Sequence, residues 1–144
     1  MEFRAVKYTT EGEASVVVLE AKKERLCEAL STEIGNGCRL VERVYQYKNN
    51  SRCKLPSGYD VICDEEGLCH GDPVINPLGS YLYGYPLNGG SVVVGNILIV
   101  RNKRNRYGEE DWVSMSQEEA NTIRDWAASL KEELTASGLM LEEE

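Results

Sequence analysis

The run Ser91-Val92-Val93-Val94-Gly95-Asn96-Ile97-Leu98-Ile99-Val100-Arg101 constrains this chain more than any other feature. It is the most apolar stretch and is dominated by β-branched residues, which favour strand over helix. A strand with apolar side chains at consecutive positions has no wet face, so it belongs inside a sheet and not at its edge. The spacing predicts one central strand over Ser91–Val100. Gly95-Asn96 is expected to form a bulge, because a hairpin turn there would leave short arms.

The other elements follow from local patterns. Phe3–Tyr8 and Ser15–Glu20 read as strands joined by the turn Thr10-Glu11-Gly12-Glu13, a hairpin. Lys22–Ile34 reads as a helix with Leu26, Leu30 and Ile34 on one face, stopped by Gly35-Asn36-Gly37. Arg39–Tyr47 and Tyr59–Asp64 read as strands separated by a polar loop, Lys48–Gly58. In Tyr59–Asp64 the alternation suits one wetter face. Glu65-Glu66-Gly67 is a turn, Pro77–Tyr83 a short helix, and Trp112-Val113 a brief strand. Ser116-Gln117-Glu118-Glu119 is a capping box that opens a long helix, Gln117–Ser137, ended by Gly138. Runs of strands with few helices indicate an α+β fold: a mostly antiparallel sheet with two main helices packed on one face. The expected organisation is a single domain over 1–138 and a frayed acidic tail over 139–144.

Charge and cysteine usage exclude several function classes. The net charge of −8 opposes phosphate-tracking contact with nucleic acid. No apolar run approaches the ~18 residues of a membrane span, and Met1–Thr10 lacks the apolar core of a signal peptide, so a cytoplasmic protein is expected. The five cysteines, Cys27, Cys38, Cys53, Cys63 and Cys69, form no Cys-x-x-Cys pair, and an odd count suits reduced thiols. Zinc held by Cys53, Cys63, Cys69 and His70, or a thiol-dependent hydrolase built on them, is one alternative; small buried hydrophobes are the plainer reading. His70 is the single histidine, and no nucleophile elbow, phosphate loop or zinc-protease motif occurs. A Cys69–His70 dyad is weak because neighbours on an extended chain point apart. The expectation is a protein that is not an enzyme and needs no cofactor. Asp64, Glu65, Glu66 and Asp72 read as a solvated turn more readily than as a cation site.

The segment Gly71–Gly90 is too apolar for a plain loop and too rich in glycine and proline for a long helix. Tyr81, Tyr83 and Tyr85 sit at alternate positions beside glycines and can stack on a flat ligand. Arg101, Arg104 and Arg106, in the only basic cluster, can pair with phosphate. These residues, with Asn76, are the candidate ligand-binding set. A fully extended Ser91–Val100 strand would separate the tyrosines from the arginines by ~33 Å, so the two groups would meet across a homo-oligomer interface.

Asp64-Glu65-Glu66-Gly67-Leu68, Pro73-Val74-Ile75-Asn76-Pro77, an apolar helix-like stretch and Val94-Gly95-Asn96-Ile97-Leu98-Ile99-Val100 together resemble the domain of unknown function 3846 family. The resemblance covers roughly 14–130; Ile75 and the loop Lys48–Gly58 depart from the pattern. It implies a small accessory protein of a bacteriophage or mobile element in a bacterial host cytosol. By that analogy of setting, the chain is expected to bind and sequester a small, nucleotide-like ligand and so counter host defence. The alternative is an acidic protein–protein inhibitor of a host defence or DNA-binding protein, which the net charge favours.

Overall fold

The computed structural model describes residues 1–45 and 55–140. Six strands form one antiparallel sheet: β1 (Glu2–Tyr8), β2 (Ala14–Glu20), β3 (Val41–Val44), β4 (Tyr59–Asp64), β5 (Ile97–Arg104) and β6 (Glu110–Val113). Their order is β2-β1-β5-β4-β3, with β6 also on β5. The helices are α1 (Leu26–Ile34), α2 (Pro77–Leu82), α3 (Gln117–Ala128) and α4 (Lys131–Ala136). No helix among the described residues is long and apolar enough to cross a membrane.

β5 is central, as its apolar run requires. Ile99 pairs with Val6 of β1 and with Val61 of β4, so those strands flank it on opposite sides. Arg101 pairs with both Tyr59 and Val113, so β6 extends the β1 side along the second half of β5. The strand does not begin at Ser91. Gly95 adopts a left-handed φ of 80°, and the chain before it leaves the main sheet. Asn76 N–H donates to Val93 O (2.8 Å) and Gly95 N–H to Val74 O (2.8 Å), with an isolated bridge between Ile75 and Val94. The expected bulged strand is therefore two pieces, a strap over Ser91–Val94 and the central strand beyond it. Asn96 holds the junction: its Oδ1 accepts from Thr10 N–H and its Nδ2 donates to Ile34 O.

All of Ile97, Leu98, Ile99 and Val100 have 0% exposure. Because successive side chains alternate, both faces of the sheet must be covered. Ile97 and Ile99 pack with Val6, Tyr8, Val61 and Cys63 under α2, α3 and α4. Leu98 and Val100 pack with Phe3, Ala5, Leu19 and Ile62 under Leu26, Leu30 and Ile34 of α1. This corrects the expectation that the helices share one face. It also removes the wetter face expected for Tyr59–Asp64, since Val61 through Asp64 are all buried.

Smaller differences have local causes. The helix expected from Lys22 starts as a 3-10 turn, Lys23–Arg25, before α1. The long C-terminal helix breaks after Ala128, where Ser129 Oγ donates to Trp126 O (2.7 Å) and competes with the helical ladder. Leu139 and Met140 are not frayed; both pack on the core, and Tyr8 Oη donates to Met140 Sδ. Part of the strand expected at Arg39–Tyr47, and most of the loop expected at Lys48–Gly58, lie outside the described residues.

The capping box joins two layers. Ser116 Oγ accepts from Glu119 N–H (3.1 Å), and Glu119 Oε1 accepts from Ser116 N–H (3.1 Å). Glu119 Oε2 then accepts from Tyr59 Oη (2.8 Å) and from Arg101. The Ser116 backbone N–H above all, with Tyr59 and Arg101, holds the Glu119 carboxyl below its ordinary 4.5. A depressed folded-state value contributes stability that is complete above the unfolded value and lost as pH falls through the folded one. Urea unfolding between neutral pH and pH ~3 should therefore show wild type losing an increment that Glu119→Gln, already lacking it at neutral pH, does not lose.

Candidate binding cleft

After β4 the chain turns sharply, and one residue makes that turn. Asp64 Oδ1 accepts from Glu66 N–H (2.9 Å), an Asx turn, and its Oδ2 accepts from His70 Nε2 (2.7 Å). Asp64 is buried, not part of a solvated carboxylate cluster. The His70 ring lies over Gly37, within 3.7 Å of where a Cβ would sit. The 3-10 turn Gly67–Cys69 thereby folds onto the strap: a Cβ on Gly67 would meet Val94 Cγ2 at 2.6 Å. Only glycine permits this approach.

The fold leaves a cleft of about 680 Å³ between this turn, Gly90 and the strap Ser91–Val94, the end of β4 and strand β3. Tyr45, Leu68 and Tyr83 line it and are 69%, 68% and 39% exposed. Glu42 and Glu65 lie on its wall and are exposed. Among the described residues Arg43 is the one cation of the lining, and its guanidinium is held 2.9 Å from Glu110 and 3.8 Å from Asp60. The lining is thus, among the described residues, apolar with acidic groups and without an uncommitted cation.

The predicted ligand-binding residues do not assemble. Asn76 is fully buried: its Nδ2 donates to Tyr8 O and Gly95 O, both at 3.0 Å, and its Oδ1 caps α2 by accepting from Gly79 N–H (3.0 Å). Tyr81 is a core residue on α2, Tyr83 opens to the cleft, and Tyr85 sits in the following turn with its N–H donating to Ser80 O. Alternate positions share a face only on an extended chain, whereas Tyr81 lies in α2, Tyr83 caps its C-terminus and Tyr85 follows in a turn. The basic cluster is divided likewise, because β5 continues to Arg104. Arg101 shares the Ile97–Ile99 face, contacting Glu119 and the Tyr59 ring. Arg104 faces the other way, 3.1 Å from Glu110, and Arg106 stacks on Tyr107 in the next turn. Of this set, only Tyr83 lines the cleft.

The thiol and metal alternatives rest on Cys53, Cys63, Cys69 and His70. Among the described residues, no group of three or more His, Cys, Asp or Glu side chains is placed to hold a metal ion; Cys53 lies outside them. Burial, reinforced by Glu42 and Asp64, pushes the Cys63 thiol up to about 12, and burial followed by Asp64 raises that of Cys38. A nucleophilic cysteine needs the opposite shift. Sequence reasoning missed Ser80, whose Oγ accepts from Val93 N–H (2.8 Å) and donates to Val93 O (3.1 Å), and the Asp64–His70 pair. The Asp-Glu-Glu-Gly turn carried a signal for the second, since aspartate opening such a turn commonly accepts from the N–H two residues on.

No protein-family model, curated protein or solved structure matches this chain.

Two measurements follow from these placements. Asn76→Ala leaves buried carbonyls unpaired and uncaps α2, so urea unfolding should show a loss of about 2–4 kcal/mol. In native protein at mildly alkaline pH, iodoacetamide should modify the exposed Cys27 and Cys69 and spare Cys63, read by peptide mass spectrometry; rapid labelling of Cys63 would contradict its burial.

Proposed function

We propose that this chain is a non-enzymatic accessory protein that acts by binding another protein, an acidic inhibitor of a host defence or DNA-binding protein. The observation that carries the reading is the cleft itself: exposed apolar side chains Tyr45, Leu68 and Tyr83 flanked by Glu42 and Glu65, with Arg43 already committed to carboxylates. Apolar anchors surrounded by charge of one sign are what a partner of opposite charge recognises. The rest of the surface has the same bias. Lys7, Lys23, Arg25, Arg39, Arg104 and Arg124 each lie against a carboxylate of this chain, which leaves the excess acid outward. The setting, a phage or mobile element acting in a bacterial cytosol, rests on the resemblance to the domain of unknown function 3846 family. The reading requires neither a metal nor a second copy.

Sequestration of a nucleotide-like ligand is the second reading. One observation favours it: Tyr83 presents a ring to a cleft whose volume lies within the ~300–1,000 Å³ of small-molecule sites. Among the described residues no uncommitted cation lines the cleft to meet a phosphate.

A photo-crosslinking residue at Leu68 or Tyr83, expressed in a bacterial host, should capture a discrete protein, whereas one at Val18, exposed on β2, should not. Equal capture from both positions defeats the reading. So does a thermal-shift screen in which a cyclic or linear nucleotide stabilises the chain with low-micromolar affinity and Tyr83→Ala removes the effect.

A further inference from the structure

The backbone of β3 says how a partner would engage the cleft, an inference that rests on the protein-binding reading above. Glu65 N–H donates to Leu40 O (2.9 Å), which makes Leu40 and Glu65 a hydrogen-bonded pair of the β3–β4 ladder. In an antiparallel ladder such pairs alternate with non-bonded ones. With Glu42 opposite Cys63 and Arg43 opposite Ile62, the backbone groups of Glu42 and Val44 turn towards β4. Those of Val41 and Arg43 turn away from the sheet. Among the described residues β3 pairs with β4 alone, so this outer edge is a row of unmatched N–H and C=O groups beside the cleft.

We propose that an extended segment of the partner adds to the sheet as a strand along β3, with apolar and basic side chains in alternation. Main-chain hydrogen bonds to Val41 and Arg43 would set its register, and alternate side chains would fall on the two faces of the sheet. On the cleft face its lysine or arginine side chains reach Glu42 and Glu65, neither of which is in an ion pair among the described residues, and lay their alkyl stems along Leu68 and Tyr83. On the other face its apolar side chains meet the Tyr45 ring on which Arg43 stacks, beside Glu110 and Asp111, which are already paired with Arg43, Arg104 and Lys23. Acid without an ion-pair partner, at Glu42 and Glu65, distinguishes this open edge from a strand merely left at the margin of a sheet.

The test uses the full chain, isotope-labelled, with a short blocked peptide in which valine alternates with arginine. The expected result is saturable binding that slows amide exchange at Val41 and Arg43. N-methylation of the peptide along one backbone edge should abolish it, and Glu42→Lys with Glu65→Lys should weaken it at least tenfold without changing the circular dichroism spectrum. Equal binding by a valine–glutamate peptide overturns the proposal. Binding that survives N-methylation of either edge overturns strand addition while leaving the cleft as a protein-binding site. Protection of the same amides in a concentration-dependent dimer, without peptide, overturns it in favour of a second copy of this chain. No binding by any peptide, when the Leu68 crosslink still captures a protein, overturns strand addition alone; failure of that crosslink as well removes the protein-binding reading beneath it.

Discussion

Every layer of this molecule is arranged around the burial of β5 on both its faces. Ile97 and Ile99 look one way and Leu98 and Val100 the other, all without solvent contact. Transferring four such side chains from water is worth roughly 1.5–3 kcal/mol each, enough to dictate where helices go. α1 covers one face and α2 to α4 the other. The sheet is therefore the middle layer of three, and its open edges become the places where function can reside.

The candidate cleft is a consequence of how the strap meets that centre. Gly95 turns the chain out of the sheet, and the strap before it is bolted to α2 by Asn76 and Ser80. Gly67 then allows the turn after β4 to press onto Val94. These contacts are internal and fully used, which leaves their residues no capacity for a ligand. What they do is fix the walls of a cleft from which Leu68, Tyr83 and Glu65 face outward, beside Glu42 and the Tyr45 ring on which Arg43 stacks. A loop rich in tyrosine and glycine thus serves mainly as architecture, with one of its tyrosines facing outward.

The electrostatic pattern has the same logic. Most of the arginines among the described residues are spent on local carboxylates, which leaves a surplus of acid for a partner to meet. Arg43 shows the point most clearly: it belongs to the cleft lining by position but to Asp60 and Glu110 by charge. Pairing of this kind contributes little stability at a surface, yet it decides the sign of the field that the cleft presents.

Local pattern alone determined much here. The β1–β2 hairpin, the apolar face of α1, the central position of β5, the brief β6 and the capping box at Ser116 were all legible, because each depends on residues close in sequence or on the burial demand of one continuous apolar run. Tertiary structure decided the rest. A short helix at Tyr81 was legible, but only the packing of α2 against the strap turns Tyr81 into the core, leaves Tyr83 at the cleft and sets Tyr85 in the following turn. Whether Arg101 and Arg104 form one patch depends on where β5 ends, and its pairing with β6 carries the strand through both and sends them to opposite faces. The cleft has no signature in the chain at all. It is made by Glu42 and Tyr45, Leu68, and Tyr83 from three separate segments, and groups that far apart in sequence become neighbours only when the sheet and strap are in place.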